Sequence, residues 1–266
     1  MQFPVTNILG SLDKKIEINQ KKIAELEELA KLIYDYWFVQ FDFPDKNGKP
    51  YKSSGGKMVY DNLLKKNIPE KWTCKRAQEL CGFKNGVNYD KDEIGNKLYR
   101  IVNVRNINSS NLFINTNDLD EIELSDNNAD NYIINEDCIL ISRSGTPGAV
   151  RLVNAKNDDN IIYCGFIIKM EPHYPEHKIF LAYYYKMYEG TSATKTGGSI
   201  LQNVSQDTLK SIVVIEPPSE IIHIFNATIN PVHNKIISLE KENFRLICLR
   251  DWILPMLMNG QVEVAE

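Results

Sequence analysis

Two segments of this 266-residue chain carry a heptad pattern, in which apolar residues alternate at steps of four and three. The first pattern comprises Leu12, Ile16, Asn19, Ile23, Leu26, Ala30, Ile33 and Trp37. The second comprises Phe225, Ile229, Val232, Ile236, Leu239, Asn243, Leu246, Arg250 and Ile253. Each set of residues forms a stripe along one side of a helix, called the seam below, and such a stripe needs a partner helix to cover it. The pattern therefore predicts that the two helices pair as an antiparallel coiled coil, which acts as a spacer for the region between them.

Each seam contains one asparagine. The same number of residues separates Asn19 from Trp37 as separates Phe225 from Asn243. If Trp37 and Phe225 lie level in an antiparallel pair, the two amides meet, satisfy one another and fix the register. In that case Asn19→Leu is expected to raise thermal stability but to loosen the spacing. The alternative is that each asparagine lies at a solvated gap or a helix end.

The sequence predicts four parts: a helical segment over 1–43, an exposed connector over 44–67, a central domain over 68–218 and a second helical segment over 219–266. The first helix is expected to start near Ser11 and Asp13, and the second at Ser219, with a kink or restart at Pro231. Short apolar runs predict strands within 98–107, 138–145, 149–153 and 161–170, the last being central. Helices are predicted within 178–190 and after Ser205. The fold class is therefore α+β, a mixed-sheet domain flanked by two long helices.

Composition excludes several classes of protein. The formal charge of -4 argues against indiscriminate binding to polyanions, although a local basic face remains compatible with a nucleic-acid site. No apolar run is long enough for a membrane span, and the first residues do not resemble a signal peptide, so a cytoplasmic location is expected. The five cysteines have no CxxC spacing, which favours reduced thiols and no metal site. The HYPEH stretch is expected to be a surface loop.

Charge is unevenly distributed. The stretch from Lys46 to Arg76 contains nine basic residues and only two acidic ones, Asp61 and Glu70. This run is either a flank that lies along nucleic acid or a solvated connector. Residues 111–137 contain eight carboxylates and no Lys or Arg, so they are not expected to follow phosphates.

Two polar segments are candidates for DNA contact. The ISRSGTPGA stretch places Arg143, Ser144 and Thr146 in a glycine-rich turn after a strand. An arginine in such a turn can pair with guanine O6 and N7, although a surface arginine on a β-turn is the simpler alternative. The second segment, 191–203, offers Lys195, Thr196, Ser199, Gln202 and Asn203, without the order of a nucleotide-binding loop.

The same stretches carry a family resemblance. The run SLDKKIEINQKKIAELEELAKLIYDYWFVQFDFP, followed by NGKPYKSSGGKMVY, resembles the conserved helix and exit segment of type I restriction-modification specificity (S) subunits. ISRSGTPGAV, TGGSILQNVS with the later Pro217-Pro218, and LRDWILPMLMNGQV resemble the target-recognition domain and closing helix of that family.

The resemblance implies a non-catalytic subunit that binds double-stranded DNA. It would dock methyltransferase (M) subunits and, through them, restriction (R) subunits, with SAM, ATP and Mg on those partners and no cofactor in this chain. Family members usually have two recognition domains, whereas this sequence contains one. We expect a half subunit that either assembles as a homodimer on a symmetric site, or is a truncated or silent cassette, or belongs to a split gene.

Two other hypotheses compete with that interpretation. The chain could be a coiled-coil scaffold that makes no DNA contact. It could also be a stand-alone methyltransferase or nuclease, but no GxSxG, HExxH, NPPF, DPPY or SAM-binding glycine motif is present in the sequence.

Overall fold

A computed structural model describes residues 2–89, 95–108, 111–125, 129–155, 159–189 and 204–259. The helices are α1 Gln2–Tyr34, α2 Ala77–Leu80, α3 Val104–Ile107, α4 Lys178–Lys186, α5 Gln206–Ser211 and α6 Ser219–Met258. The strands are β1 Met58–Asp61, β2 Lys66–Pro69, β3 Thr73–Arg76, β4 Cys81–Asn85, β5 Lys97–Val102, β6 Asp120–Leu124, β7 Ile139–Ser142, β8 Val150–Leu152, β9 Ile161–Tyr163, β10 Ile167–Pro172 and β11 Val213–Glu216. A mixed α+β fold with a long helix at each end is thereby confirmed.

The strands form several small sheets. An antiparallel sheet has the order β4-β10-β7-β8, and a mixed sheet has the order β6-β5-β9, in which β5 and β9 are parallel. Two further antiparallel pairs complete the described sheets: β1-β2, which are neighbours in sequence, and β11-β3, which are far apart in sequence. The main core forms where these sheets meet, with Ile101, Leu140, Ile161 and Ile167 fully buried.

Residue contacts divide the chain into two compact units. The first contains Met1–Ala30 and Thr228–Glu266, and the second contains Lys31–Ala227. The second unit extends beyond the predicted central domain because aromatic residues near the ends of both long helices pack within it. Phe38, in a π-helical turn over Asp35–Val39, lies 4.8 Å from Phe225 between ring centroids.

In the first unit α1 and α6 run antiparallel. An ion pair joins Asp13 to Arg250 at 3.0 Å, and Lys15 lies 3.3 Å from Glu242. The residues of the predicted seam in both long helices are all buried or half-buried. Packing of this kind lets two amphipathic helices bury their apolar faces against each other.

The predicted pairing of the asparagines is confirmed. Asn19 Nδ2 donates hydrogen bonds to Asn243 Oδ1 at 2.9 Å and to Glu242 Oε2 at 3.0 Å. Both asparagines are buried, with exposed fractions of 0% and 8%. Asn19 Oδ1 is also buried and has no hydrogen-bond partner among the residues that the structure describes. The pair is therefore specific, but it leaves one acceptor unsatisfied.

Two strand predictions were wrong in detail. The 161–170 run does not form one central strand, because Gly165 and Phe166 turn the chain between β9 and β10, which belong to different sheets. The 98–107 run is a strand only as far as Val102. Beyond it α3 begins, where the Asn106 side chain accepts a hydrogen bond from the Asn103 amide at 2.9 Å and so favours a helical turn.

The helix boundaries also differ in part from the prediction. α1 begins at Gln2 rather than near Ser11, and Pro4 is compatible with that start because a first-turn amide needs no partner within the helix. α6 begins at Ser219 as predicted but does not restart at Pro231, which lies on its exposed side, where water can bond the freed carbonyl. The connector predicted over 44–67 contains β1. Among the described residues no helix is both long and apolar enough to cross a membrane.

Candidate nucleic-acid interface

The turn between β7 and β8 contains the first group of predicted DNA contacts. Gly145 and Gly148 adopt φ values of 74° and 82°, a conformation that glycine tolerates without strain. Ser142 Oγ donates a hydrogen bond to the carbonyl of Ser144 at 2.6 Å. Ser144 is half-buried and Thr146 is exposed. The turn is thus a fixed, tightly bonded structure that presents Thr146 to solvent.

Arg143 lies at the start of this turn and is half-buried. Its Nη1 donates a hydrogen bond to the carbonyl of Gly165 at 3.2 Å. Its Nε is buried and has no hydrogen-bond partner within the described part of the chain. A guanidinium carries five N–H donors in a planar fork. The buried Nε is out of reach of a ligand, so a ligand would contact the terminal nitrogens, which carry four of the five donors.

The second group of predicted contacts, Lys195, Thr196, Ser199, Gln202 and Asn203, lies outside the described residues. The residues on either side of this segment are described, and both meet the β7–β8 hairpin. Before it, Glu189 pairs with both terminal nitrogens of Arg151 in β8, at 3.1 and 3.2 Å. After it, the Val204 amide donates to the Arg143 carbonyl at 2.9 Å. One hairpin therefore holds both ends of the segment.

The Arg151–Glu189 pair is largely removed from water. The Arg151 side chain is 2% exposed, and that of Glu189 is 21% exposed. Arg151 Nη1 also donates to the Val150 carbonyl at 2.6 Å. A buried guanidinium requires such partners, because an unpaired charge in the interior is costly.

The structure adds a residue that the sequence interpretation missed. Phe166 is 61% exposed at the β9–β10 turn, where its carbonyl accepts a hydrogen bond from the Arg143 amide at 2.8 Å. The Asn88 side chain packs against this turn so closely that a Cβ on Gly165 would lie 1.9 Å from Asn88 Oδ1. A glycine inside an otherwise apolar run is the sequence signal that could have indicated this turn.

A cleft of about 940 Å³ opens beside Phe166. The residues that line it include Asn88, Tyr89, Asn103, Arg105, Asp120 and Phe166. Arg105 Nη1 lies 2.9 Å from Asp118 Oδ2, and its Nη2 lies 2.8 Å from Asp120 Oδ1. The single positive charge of Arg105 offsets one of these two negative charges, which reduces but does not abolish the repulsion of a nearby phosphate.

Part of the basic run at 46–76 is engaged within the protein. Lys57 forms an ion pair with Glu70 at 2.5 Å, and Lys75 pairs with Glu216 at 2.6 Å. Lys66 lies 5.8 Å from the centroid of the Phe41 ring. The other Lys and Arg residues of this run are compatible with both interpretations, a flank that lies along nucleic acid and a solvated connector.

The histidines of HYPEH differ in environment. His173 is exposed as expected, but His177 is 5% exposed and its Nε2 lies 3.5 Å from Glu216 Oε1, so the surface-loop prediction was wrong for His177. The His177 ring packs against the Tyr174 ring, with 5.6 Å between the ring centroids. No group of three or more His, Cys, Asp or Glu residues suited to a metal ion occurs within the described ranges.

Comparison with known proteins shows which protein family this chain matches. The model of the type I restriction modification DNA specificity domain matches residues 69–244. The MjaIX type I restriction enzyme specificity subunit of Methanocaldococcus jannaschii is 26% identical over 274 residues, and the HindI specificity subunit of Haemophilus influenzae is 24% identical over 318 residues. These alignments cover 100% and 98% of this chain but 59% and 67% of the relatives.

A solved structure shows the same fold. The type I restriction-modification S subunit from M. genitalium aligns with a TM-score of 0.60 and 15% identity, over 95% of this chain and 59% of that chain. The family match spans most of the chain, including the β7–β8 turn and the start of α6. This chain therefore belongs to the family of type I restriction modification DNA specificity domains.

Proposed function

We propose that this chain recognises one half of a bipartite DNA site as the non-catalytic specificity subunit of a type I restriction-modification complex. The observation that carries the proposal is the Arg143 turn, which holds a guanidinium with unused donors beside the ends of a second polar segment. Arginine in such a position can read guanine, while Ser144 and Thr146 are suited to phosphate or base edges. Both relatives are type I restriction enzyme specificity subunits, which supports the same role for this chain.

The partners follow from charge and from the family. A chain with a formal charge of -4 gains little from phosphate neutralisation, so it should bind DNA weakly by itself. Methyltransferase subunits would supply further basic contacts together with the SAM site. Restriction subunits, with ATP and Mg, would join through them.

A bipartite site requires a second recognition domain, and a second copy of this chain can supply it. Exposed apolar side chains in the first unit offer a contact surface: Leu29 is 44% exposed, Leu249 41% and Trp252 65%. Apolar exposure of this kind is typical of surfaces that another protein covers. Two copies related by a twofold axis would read a symmetric, interrupted site with one domain on each half.

The decisive experiment is DNA selection from a random duplex pool by the chain, alone and with its host's methyltransferase subunits. We expect no enrichment with the chain alone at physiological salt and one interrupted palindrome with the complex. Light scattering of the complex should give two copies of the chain. A complex that enriches no sequence would favour a scaffold without DNA contact, nanomolar specific binding by the isolated chain would contradict the charge argument, and a single copy per complex would overturn the dimer.

A further inference from the structure

Phe166 is an exposed aromatic residue on a structurally fixed turn. Its neighbours Cys164 and Ile167 are 4% and 0% exposed, whereas Phe166 itself is 61% exposed. The turn is closed by a hydrogen bond from the Ile167 amide to the Cys164 carbonyl at 2.9 Å. The buried residues on both sides therefore anchor the backbone and hold the ring out toward solvent.

Further contacts restrict this turn. The Gly86 amide donates to the Ile167 carbonyl at 3.0 Å, and Arg143 bonds the turn twice, through its amide to Phe166 and through its guanidinium to Gly165. A side chain presented by a rigid backbone loses little conformational entropy when it binds. Phe166 thus has the properties of a preorganised contact residue.

Phe166 and Arg143 lie opposite each other just beyond the ends of β10 and β7, where the Arg143 amide donates a hydrogen bond to the Phe166 carbonyl at 2.8 Å. In the antiparallel pairing of β7 with β10, Ser142 lies opposite Ile167, so the next pair outward is Arg143 opposite Phe166. Residues directly opposite each other in antiparallel strands place their side chains on the same side of the sheet, about 5 Å apart. Successive base pairs are about 3.4 Å apart. Two such side chains therefore reach base pairs that are neighbours or one step apart.

The chemistry of the two side chains is complementary for reading a major groove. A guanidinium matches the acceptors of guanine, and an aromatic ring matches the one apolar group that the groove displays, the C5-methyl of thymine. Arg105 already forms ion pairs with Asp118 and Asp120 beside the adjoining cleft. A DNA strand near Phe166 consequently meets fewer uncompensated carboxylates than the sequence of that region suggests.

We propose that Phe166 is a specificity-determining residue that contacts the C5-methyl of a thymine within two base pairs of the base read by Arg143. This inference rests on the proposed function, since it requires the chain to read DNA. It assigns a base contact to the β9–β10 turn, a second element beside the β7–β8 turn.

The test exploits uracil, which differs from thymine only by that methyl group. The selected duplex is bound by the complex of this chain with its methyltransferase subunits, and each thymine is replaced in turn by deoxyuridine. We expect one position per half-site at which wild-type affinity falls about fourfold, the effect of losing one buried methyl group, while other positions change little. In the Phe166→Ala complex the thymine and uracil duplexes should bind equally at that position.

A matched control is Tyr174→Ala, which removes another exposed aromatic, 58% exposed, and should leave the uracil effect intact. If no uracil substitution weakens wild-type binding, or the effect survives in Phe166→Ala, the inference fails although the complex still selects its site. A selected site without thymine within two base pairs of the position that Arg143→Ala relaxes overturns it as well. Failure of the complex to select any sequence would instead remove the proposed function itself.

Discussion

The asparagine pair between α1 and α6 allows a prediction whose sign depends on the partner. Replacing Asn19 alone by leucine buries an apolar side chain at a fully buried position, which favours folding by about 1.5 to 3 kcal/mol. It also removes the donor that satisfies Asn243 Oδ1, and an unsatisfied buried polar group costs about 1 to 3 kcal/mol. The two terms nearly cancel. The free energy of unfolding of the single variant should therefore lie within about 1 kcal/mol of the wild-type value, and the gain in stability expected from the sequence should not appear.

Replacing both asparagines by leucine should have a different result. Two buried leucines contribute about 3 to 6 kcal/mol, against the loss of the hydrogen bond between the asparagines, worth about 1 kcal/mol net. The hydrogen bond from Asn19 to Glu242 is lost as well, but it contributes little because water can replace it at the exposed carboxylate. The double variant should be at least about 2 kcal/mol more stable than the wild type. The coupling between the two changes then measures how much each asparagine depends on the other.

Urea denaturation at one protein concentration gives these free energies for the wild type, both single variants and the double variant. Ile16→Leu, a volume-conserving change at a neighbouring buried seam position, is the control and should cost less than about 1.5 kcal/mol. A single Asn19→Leu variant stabilised by more than about 2 kcal/mol would refute the reasoning, because it would mean that Asn243 finds another partner without cost. A destabilised double variant would refute it from the opposite side.

The pair should also affect spacing. A polar residue in an apolar seam fixes the register at some cost in stability. With both asparagines replaced, helices that pair through leucine alone can adopt shifted registers. DNA selection with the double variant should then enrich sites of more than one spacer length, whereas a single sharp spacer would show that other contacts, such as Asp13–Arg250, set the register.

Further predictions concern individual residues. Arg143→Ala should cost about 1 to 3 kcal/mol in binding to the selected site and relax preference at one base pair, and titration of duplexes varied at each position checks this, with unchanged specificity as the contrary result. Arg151→Ala should lower the free energy of unfolding by about 2 kcal/mol because it removes a buried guanidinium and leaves the partly buried Glu189 with Lys186 alone, at 3.4 Å, and a loss below about 1 kcal/mol would mean that Lys186 or water replaces the guanidinium. Burial lowers the pKa of His177 below its ordinary value of about 6.5, although Glu216 acts in the opposite direction. The unfolded chain thus binds this proton more readily, so stability is lost as pH falls below about 6.5. His177→Gln should reduce the dependence of unfolding free energy on pH between 7 and 5, and an unaltered dependence would contradict the argument.

Features set by local periodicity could be predicted from the sequence. The separation of Asn19 from Trp37 equals that of Asn243 from Phe225, so the helical repeat alone predicts that the two asparagines lie side by side in an antiparallel pair. The short helix after Ser205 could likewise be predicted, because Ser205 Oγ accepts a hydrogen bond from the Thr208 amide within the same turn. Such interactions involve residues a few positions apart, or two helices of uniform pitch.

Features that depend on distant pairing could not be predicted. The run from Ile161 to Met170 is apolar except for Gly165 and Lys169. Gly165 favours a turn, but periodicity alone does not distinguish one central strand from two short strands that join different sheets. The choice is made by partners far away in sequence, since β9 pairs with β5 and β10 pairs with β4 and β7. For the same reason neither the exposure of Phe166 nor the contact of Arg143 with Gly165 could be foreseen.

The attachment of Glu189 to Arg151 and of Val204 to Arg143 has an evolutionary consequence. Because one hairpin holds both ends of the intervening segment, the distance between those ends is set by β7 and β8 and not by the residues in between. For a chain segment between two fixed points, each doubling of length costs only about 0.6 kcal/mol. Substitutions, insertions or recombination between Glu189 and Val204 can therefore generate new variants while the sheets beneath remain unchanged.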